Sequence, residues 1–258
     1  MTPLNARRGL LLALAAGLVT LTPAAGADDK GWWTEHYGGT VVRGSGNVVT
    51  ESRGVSPFQA VHLKGGMRLV LRQATKEALE VRGDDNLLGF VETAVTDRDG
   101  VATLEIGSKK GISYTSRTRI VVTVDVVSLK SLAISGSGDA VADGLKTGEL
   151  KVKVQGSGDV QLRQLAADAL ALRLDGSGSV DASGRTGKLA VAIAGSGSVA
   201  SRDLQADEVT VSIAGSGDAH IHARRTLAVS IAGSGDVDYT GEAIVRTSIA
   251  GSGSVTKR

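Results

Sequence analysis

The sequence contains no cysteine. That excludes a disulfide framework, a thiolate metal site, a cysteine nucleophile and a lipid-modified cysteine anchor. Aromatic residues are scarce: two Trp, three Tyr and two Phe. A core built on large rings is therefore excluded, and Val, Leu, Ile and Ala must fill it. Net charge is also nearly absent. The full chain carries 29 basic and 27 acidic residues, a formal +2. Without Arg7 and Arg8 the balance is 27 to 27, so there is no electrostatic case for nucleic acid or for an anionic membrane.

Long apolar runs are missing after residue 27, and no segment there approaches the ~20 residues of a membrane-spanning helix. Before it, Arg7 and Arg8 precede a short apolar run, Leu10 to Leu21, which leads to Ala25-Gly26-Ala27. A basic start, a short apolar stretch and an A-x-A site describe a secretory signal peptide over residues 1–27. The chain is thus expected to be exported, to a periplasm or to the cell surface and beyond. No transmembrane anchor is expected.

What the sequence has in quantity is glycine, 35 residues, arranged with a period. Gly-Ser-Gly begins at Gly44, Gly136, Gly156, Gly176, Gly195, Gly215, Gly233 and Gly251. From Gly136 the spacings are 20, 20, 19, 20, 18 and 18 residues. Alternating apolar residues precede each copy: Leu150, Val152, Val154; Leu170, Leu172, Leu174; Leu189, Val191, Ile193; Val209, Val211, Ile213; Leu227, Val229, Ile231; and Val245, Thr247, Ile249. Period two with β-branched residues is the signal of a half-buried strand. A fixed period of about 20 residues is the signal of a solenoid.

The predicted fold is all-β: a right-handed parallel β-helix with rungs of about 20 residues and a less regular N-terminal β region. Gly-Ser-Gly is its recurring corner, because glycine takes positive φ and allows neighbouring backbones to approach closely. The serine is expected to bond a backbone group or the serine of the next rung. A second short strand follows each corner, starting at Asp139, Asp159, Ser179, Ser198, Asp218, Asp236 and Ser254. The six to ten residues after it read as a variable return path. Residues 44–258 form one solenoid domain, with irregular rungs over 44–128 and regular repeats over 129–258. The irregular part is expected to cap one end. Lys257 and Arg258 are expected to blunt the other. Residues 28–43, with Trp32, Trp33 and Tyr37, are expected to cover the first rung.

Several stretches together resemble a known family, DUF2807, named "putative auto-transporter adhesin, head GIN domain". They are Gly44 to Gln73 (GSGNVVTESRGVSPFQAVHLKGGMRLVLRQ), Leu79 to Val95 (LEVRGDDNLLGFVETAV) and Ser128 to Asp139 (SLKSLAISGSGD). The resemblance runs from about Gly44 through the repeats. It implies an exported right-handed β-helix of a bacterial envelope and no defined activity. No translocator barrel, sortase signal or lipid anchor is recognised.

Candidate chemistry is sparse. Asp139 over Asp159, and Asp218 over Asp236, could gather calcium at the corners. His220 and His222 lie on one strand face, with Asp238 beside His220 in register, three possible ligands for a transition metal. Arg163, Arg173, Asp175 and Asp181 could assemble a glycan-processing groove. Each has a simpler reading: the corner aspartates accept backbone N–H bonds in solvent, and the other side chains are solvated surface. No residue is assigned a catalytic, cofactor or metal role, and no cofactor is expected.

The outward positions from Ala190 onward are more distinctive: Ala190, Ala192, Ala194, Thr210, Ser212, Ala214, Ala228, Ser230, Ala232, Ser248 and Ala250. Earlier rungs carry Lys151, Lys153, Arg173 and Asp175 there. A flat, uncharged face of small residues can pack against another flat surface. The sequence therefore points to a non-catalytic module for adhesion or envelope interaction, through self-association, a surface protein or a glycan. The alternative is a glycan-binding or glycan-processing β-helix.

Overall fold

The computed structural model describes residues 40–258. The expected signal peptide and the Trp32, Trp33 and Tyr37 cover fall outside these residues. The strands are β1 (Thr40–Arg43), β2 (Val48–Arg53), β3 (Ala60–Lys64), β4 (Arg68–Gln73) and β5 (Ala78–Asp84). One helical turn follows, α1 (Asp85–Leu88), then β6 (Val91–Arg98), β7 (Val101–Ser108), β8 (Ile112–Thr115) and β9 (Val121–Val126). The repeats supply β10 (Ser131–Gly136), β11 (Asp139–Asp143), β12 (Lys146–Gly156), β13 (Asp159–Gly176), β14 (Ser179–Gly195) and β15 (Ser198–Gly215). They continue with β16 (Asp218–Gly233), β17 (Asp236–Thr240), β18 (Ile244–Gly251) and β19 (Ser254–Lys257).

The repeats stack as parallel rungs in the register the period implies. Leu132, Val152, Leu172, Val191, Val211, Val229 and Thr247 follow one another through successive pairings. Inward residues such as Leu172, Leu174, Val191 and Ile213 are buried, and each is worth roughly 1.5–3 kcal/mol of hydrophobic stabilisation. The expected return path is itself strand. The strands run on through it, and Leu165, Leu204, Ala206 and Ala223 seal a third wall of the core. The pairing omits one residue per rung at Gly148, Asp168, Gly187 and Asp207, which marks a further bend.

The corner differs from expectation in its mechanism. Ser157 N–H donates to the Gly136 carbonyl at 2.9 Å, Ser177 to Gly156 at 2.9 Å and Ser216 to Gly195 at 2.9 Å. The serine thus contributes its backbone, and its side chain points to solvent. The first glycine of each triplet supplies the left-handed backbone, with φ between +116° at Gly136 and +137° at Gly251. The second glycine is needed for space. A β-carbon on Gly158 would lie 2.3 Å from the Gly138 carbonyl oxygen.

The N-terminal half is threaded out of sequence order. β3 and β4 form the rung next to β10 and β11, with Gly65-Gly66-Met67 as its corner. β7 and β9, later in the chain, pair with the other side of β3 and β4. Antiparallel strands close this end as the expected cap: β6 lies on β7, β5 on β9, and β2 on β5. At the other end the inward residues Val245 and Val255 are only half-covered, and Ile249 is 41 % exposed. Lys257 and Arg258 fold back there, onto Glu242 at 3.0 Å and Asp238 at 3.2 Å.

The triplet at Gly44 is not a rung corner. It belongs to a clasp between the β1–β2 link and α1. Ser45 Oγ donates to Asp85 Oδ1 at 2.5 Å, Asn47 Nδ2 donates to Asp85 Oδ2 at 2.8 Å, and Asn86 Nδ2 donates to the Arg43 carbonyl at 2.9 Å. Ser45 first, then Asn47 and the Asn86 backbone N–H, hold the Asp85 carboxyl below its ordinary pKa.

Candidate functional site

The small-residue face forms on the wall before the corner. Ala190, Thr210 and Ala228 stack in one column. Ala192, Ser212, Ser230 and Ser248 stack in a second, and Ala194, Ala214, Ala232 and Ala250 in a third. These side chains are short by sequence and not by position, since the second column continues through Arg173 and Lys153 on the earlier rungs. Arg246 ends the first column, a residue the alternation pattern passed over. A shallow recess of about 250 Å³ lies over Thr210, Ser212, Ala228, Ser230, Arg246 and Ser248. Toward β12 the face becomes charged and self-paired: Arg173 reaches Asp175 at 2.9 Å, and Lys153 reaches the same carboxylate at 3.9 Å.

The corner aspartates accept backbone N–H groups of the next rung. Asp159 Oδ1 accepts from Ser179 N–H at 3.2 Å and from Ser179 Oγ at 2.6 Å. Asp218 Oδ1 accepts from Asp236 N–H at 3.1 Å, and Asp236 Oδ1 accepts from Ser254 N–H at 2.9 Å. Arg119 pairs with Asp139. Among the described residues no three His, Asp or Glu side chains gather as a metal-binding group.

Of the three candidate transition-metal ligands, two come together and the third turns to another partner. His220 Nδ1 lies 3.4 Å from Asp238 as the register implies, but Asp238 also meets Arg202 at 3.1 Å and Arg258 at 3.2 Å. Arg258 is the main reason the Asp238 carboxyl is held below its ordinary pKa. His222 turns to Thr240 Oγ1 at 2.9 Å. The postulated groove also divides. Arg163 and Asp181 share a recess of about 420 Å³ on the wall after the corner, together with Gln161, Ser183, Arg202, Asp203 and His220. Arg173 and Asp175 stand on the other wall, before the corner.

Two polar sites at the capped end escaped the sequence reading. His62, 8 % exposed, bridges Ser135 Oγ at 2.9 Å and Arg98 at 2.7 Å, while Glu105 ties Arg98 and Lys64 beside it. Burial, then Arg98 and Lys64, push the His62 pKa down against the pull of Glu105. Asp84, 1 % exposed, accepts from Ser116 Oγ at 2.6 Å, and its Oδ1 has no hydrogen-bond partner among the described residues. It borders a recess of about 590 Å³ with Arg43, Gly44, Ser45, Ser116 and Arg117.

A family model described as "Putative auto-transporter adhesin, head GIN domain" (DUF2807) matches residues 57–243, well over half of the chain. The chain belongs to this family. Solved structures of similar fold include a protein of Bacteroides fragilis described as a putative adhesin. It is 24 % identical, with a TM-score of 0.75 over 84 % of this chain and 100 % of that one. A protein of Parabacteroides distasonis described as a putative lipid binding protein is 28 % identical, with a TM-score of 0.70 over 85 % of this chain and 100 % of that one. A putative adhesin of Parabacteroides merdae is 23 % identical, with a TM-score of 0.66 over 84 % and 99 %. No curated protein matches the sequence. The DUF2807 chain is an adhesin-type β-solenoid. Among its described residues no helix is long and apolar enough to cross a membrane.

Proposed function

We propose that this DUF2807 chain is an exported, non-catalytic module of the bacterial cell envelope. Its solenoid over residues 44–258 displays the Ala/Ser/Thr wall to a flat partner surface. The carrying observation is the three-column register of Ala190 to Ala250, which keeps charge off the face until Arg246. A wall of short side chains on a regular sheet loses little rotamer entropy on docking and lets the backbones come close.

Three columns over four rungs cover roughly 14 Å by 19 Å, or about 270 Å², a third of the ~800 Å² each partner contributes to a standard interface. Contact therefore extends onto the charged flank at Lys151, Lys153 and Arg173, giving an apolar centre with a polar rim. The partner is a second copy or a surface protein or glycan.

The test is light scattering of the mature chain together with binding to whole envelope fractions, for the native sequence and for Ala192→Glu with Ser212→Glu. Loss of association or of envelope binding in a folded double variant supports the reading. Unchanged association and binding sink it.

A further inference from the structure

The rung that ends at Gly195 spans 19 residues, while its neighbours ending at Gly176 and Gly215 span 20. The missing residue falls at one place. Between Leu162 and Leu165 β13 has two residues, Arg163 and Gln164, where β14 has Ser183 alone. On the other side β15 has Ser201, Arg202 and Asp203 where β14 has Ala182 and Ser183. Two bulged strands therefore flank a short one, and the second corner of β14 lies in a notch between two ridges.

The backbone is specialised to hold that notch. Gln164 takes φ +52°, a left-handed conformation uncommon for a residue with a side chain. Gly184 takes φ +121°, and a β-carbon there would meet the Leu165 carbonyl oxygen at 2.1 Å. The floor is Ala182 and Ser183, the ridges carry Arg163 and Arg202, and Asp181, Asp203, Gln161 and His220 complete the rim. The volume of about 420 Å³ lies within the range of small-ligand pockets.

Three charged side chains that line the notch, Arg163, Asp181 and Asp203, are left without an ion pair among the described residues although they stand close together, while many neighbours on the solenoid are paired. Arg72 with Asp125, Arg173 with Asp175, Lys188 with Glu208 and Arg224 with Asp207 all form pairs. At the notch, Arg163 meets only Gln161, at 2.9 Å, and Asp181 and Asp203 have no ion-pair partner among the described residues. Arg202 is held in place by His220 and Asp238, each at 3.1 Å. The notch thus offers acceptors and donors side by side, with two unpaired carboxylates against one unpaired guanidinium among the described residues.

That pattern selects a chemistry. A phosphate or a polyanion would be repelled by Asp181 and Asp203. A metal cation would be repelled by Arg163, the cation of the notch that has no ion pair among the described residues. A hydroxyl group donates and accepts at once, so a neutral polyol satisfies both sets. We infer that the β13–β15 notch is a binding site for a short neutral saccharide chain. Asp181 and Asp203 accept from sugar hydroxyls, and Arg163, Gln161 and Arg202 donate to them. The site lies on a different wall from the Ala/Ser/Thr face, and the inference does not depend on that face docking anything.

The experiment is a titration of the isotopically labelled mature chain with maltose, cellobiose, lactose and N,N′-diacetylchitobiose, followed by amide chemical shifts. Glucose, inorganic phosphate and calcium chloride are run beside them. Saturable shifts confined to the notch, with a disaccharide Kd in the millimolar range or tighter, are expected for at least one disaccharide. Asp181→Ala and Arg163→Ala, both at exposed positions, should each weaken it about tenfold or more with unchanged melting. Ala192→Glu on the other wall should leave it intact, which separates this site from the face. Four outcomes would overturn the inference: no saturation by any disaccharide, saturation by phosphate or calcium instead, disaccharide binding indifferent to both variants, or glucose binding as tightly as the disaccharides.

Discussion

The carbonyl oxygen of Gly195 lies 2.3 Å from the point where a β-carbon on Gly215 would be. The two glycines belong to successive rungs, and the same Gly195 carbonyl accepts the Ser216 N–H at 2.9 Å. Corner spacing and corner hydrogen bond are therefore one constraint. Gly215→Ala should destabilise by on the order of 3 kcal/mol, through strain at φ +132° and displacement of the rung below. Ser216→Ala, at an exposed side chain, should stay within about 0.5 kcal/mol of the parent. Urea unfolding of both variants checks the contrast.

The clasp at the capped end offers a second pair of glycines. A β-carbon on Gly44 would lie 1.8 Å from Asp84 Oδ2, whereas Gly46, at φ +83°, has nothing within 4 Å. Gly46→Ala should cost only its backbone strain, about 1 kcal/mol. Gly44→Ala must push a buried carboxylate off Ser116 and should cost more, on the order of 3 kcal/mol. Thermal melting of the two side by side decides it.

His62 gives the fold an acid-side weakness. Its folded pKa lies below the 6.5 of the unfolded chain, so the unfolded state takes the proton first. The stability it contributes is complete above about pH 6.5 and is lost as pH falls from there through the folded value. His62→Gln should flatten that part of the stability–pH curve and leave the neutral side nearly unchanged. Urea titrations from about pH 7.5 down to about pH 5.5 show whether the slope disappears.

Val209 and Val245 stand two rungs apart in one inward column. Val209 is 2 % exposed, whereas Val245 is half-buried. Truncation to Ala should cost about 2 kcal/mol at Val209 and well under 1 kcal/mol at Val245. Equal losses in urea unfolding would contradict the graded burial along the axis.

Calcium chloride or EDTA should leave the melting temperature unchanged, because Asp159, Asp218 and Asp236 already accept N–H donors from the rung above. Asp159→Ala should cost about 1 kcal/mol by removing the acceptor of Ser179. Differential scanning calorimetry with and without the ion reads both effects.

The repeats were legible because their information is local. Leu150 to Ile249 alternate with period two, and Gly-Ser-Gly marks each bend, so corner, inward rows and the His220–Asp238 pairing follow from counting. The strands of the return path were not legible because Gly, Asp, Thr and Lys there give no alternating pattern. Pairing with equivalent residues one rung away outweighs their weak strand propensity. The N-terminal threading was illegible because it is set by contacts between distant segments. Nothing local says that Val61 lies between Leu104 and Leu132, or that Gly65-Gly66-Met67 is a corner while Gly44-Ser45-Gly46 is not. At the candidate sites, the sequence grouped Arg163 with Arg173, whereas the corner between them sends them to different walls. The 19-residue interval was visible, but its location at Ser183 needed the register on both sides.

The out-of-order stacking of β3 and β4 between β7–β9 and β10–β11 also fixes a direction of assembly. The segment 60–73 acquires its outer neighbour only once the chain has reached residue 126, so the first layers close through long loops and form slowly. From residue 131 on, each layer finds a finished template directly behind it and needs only to wind once more.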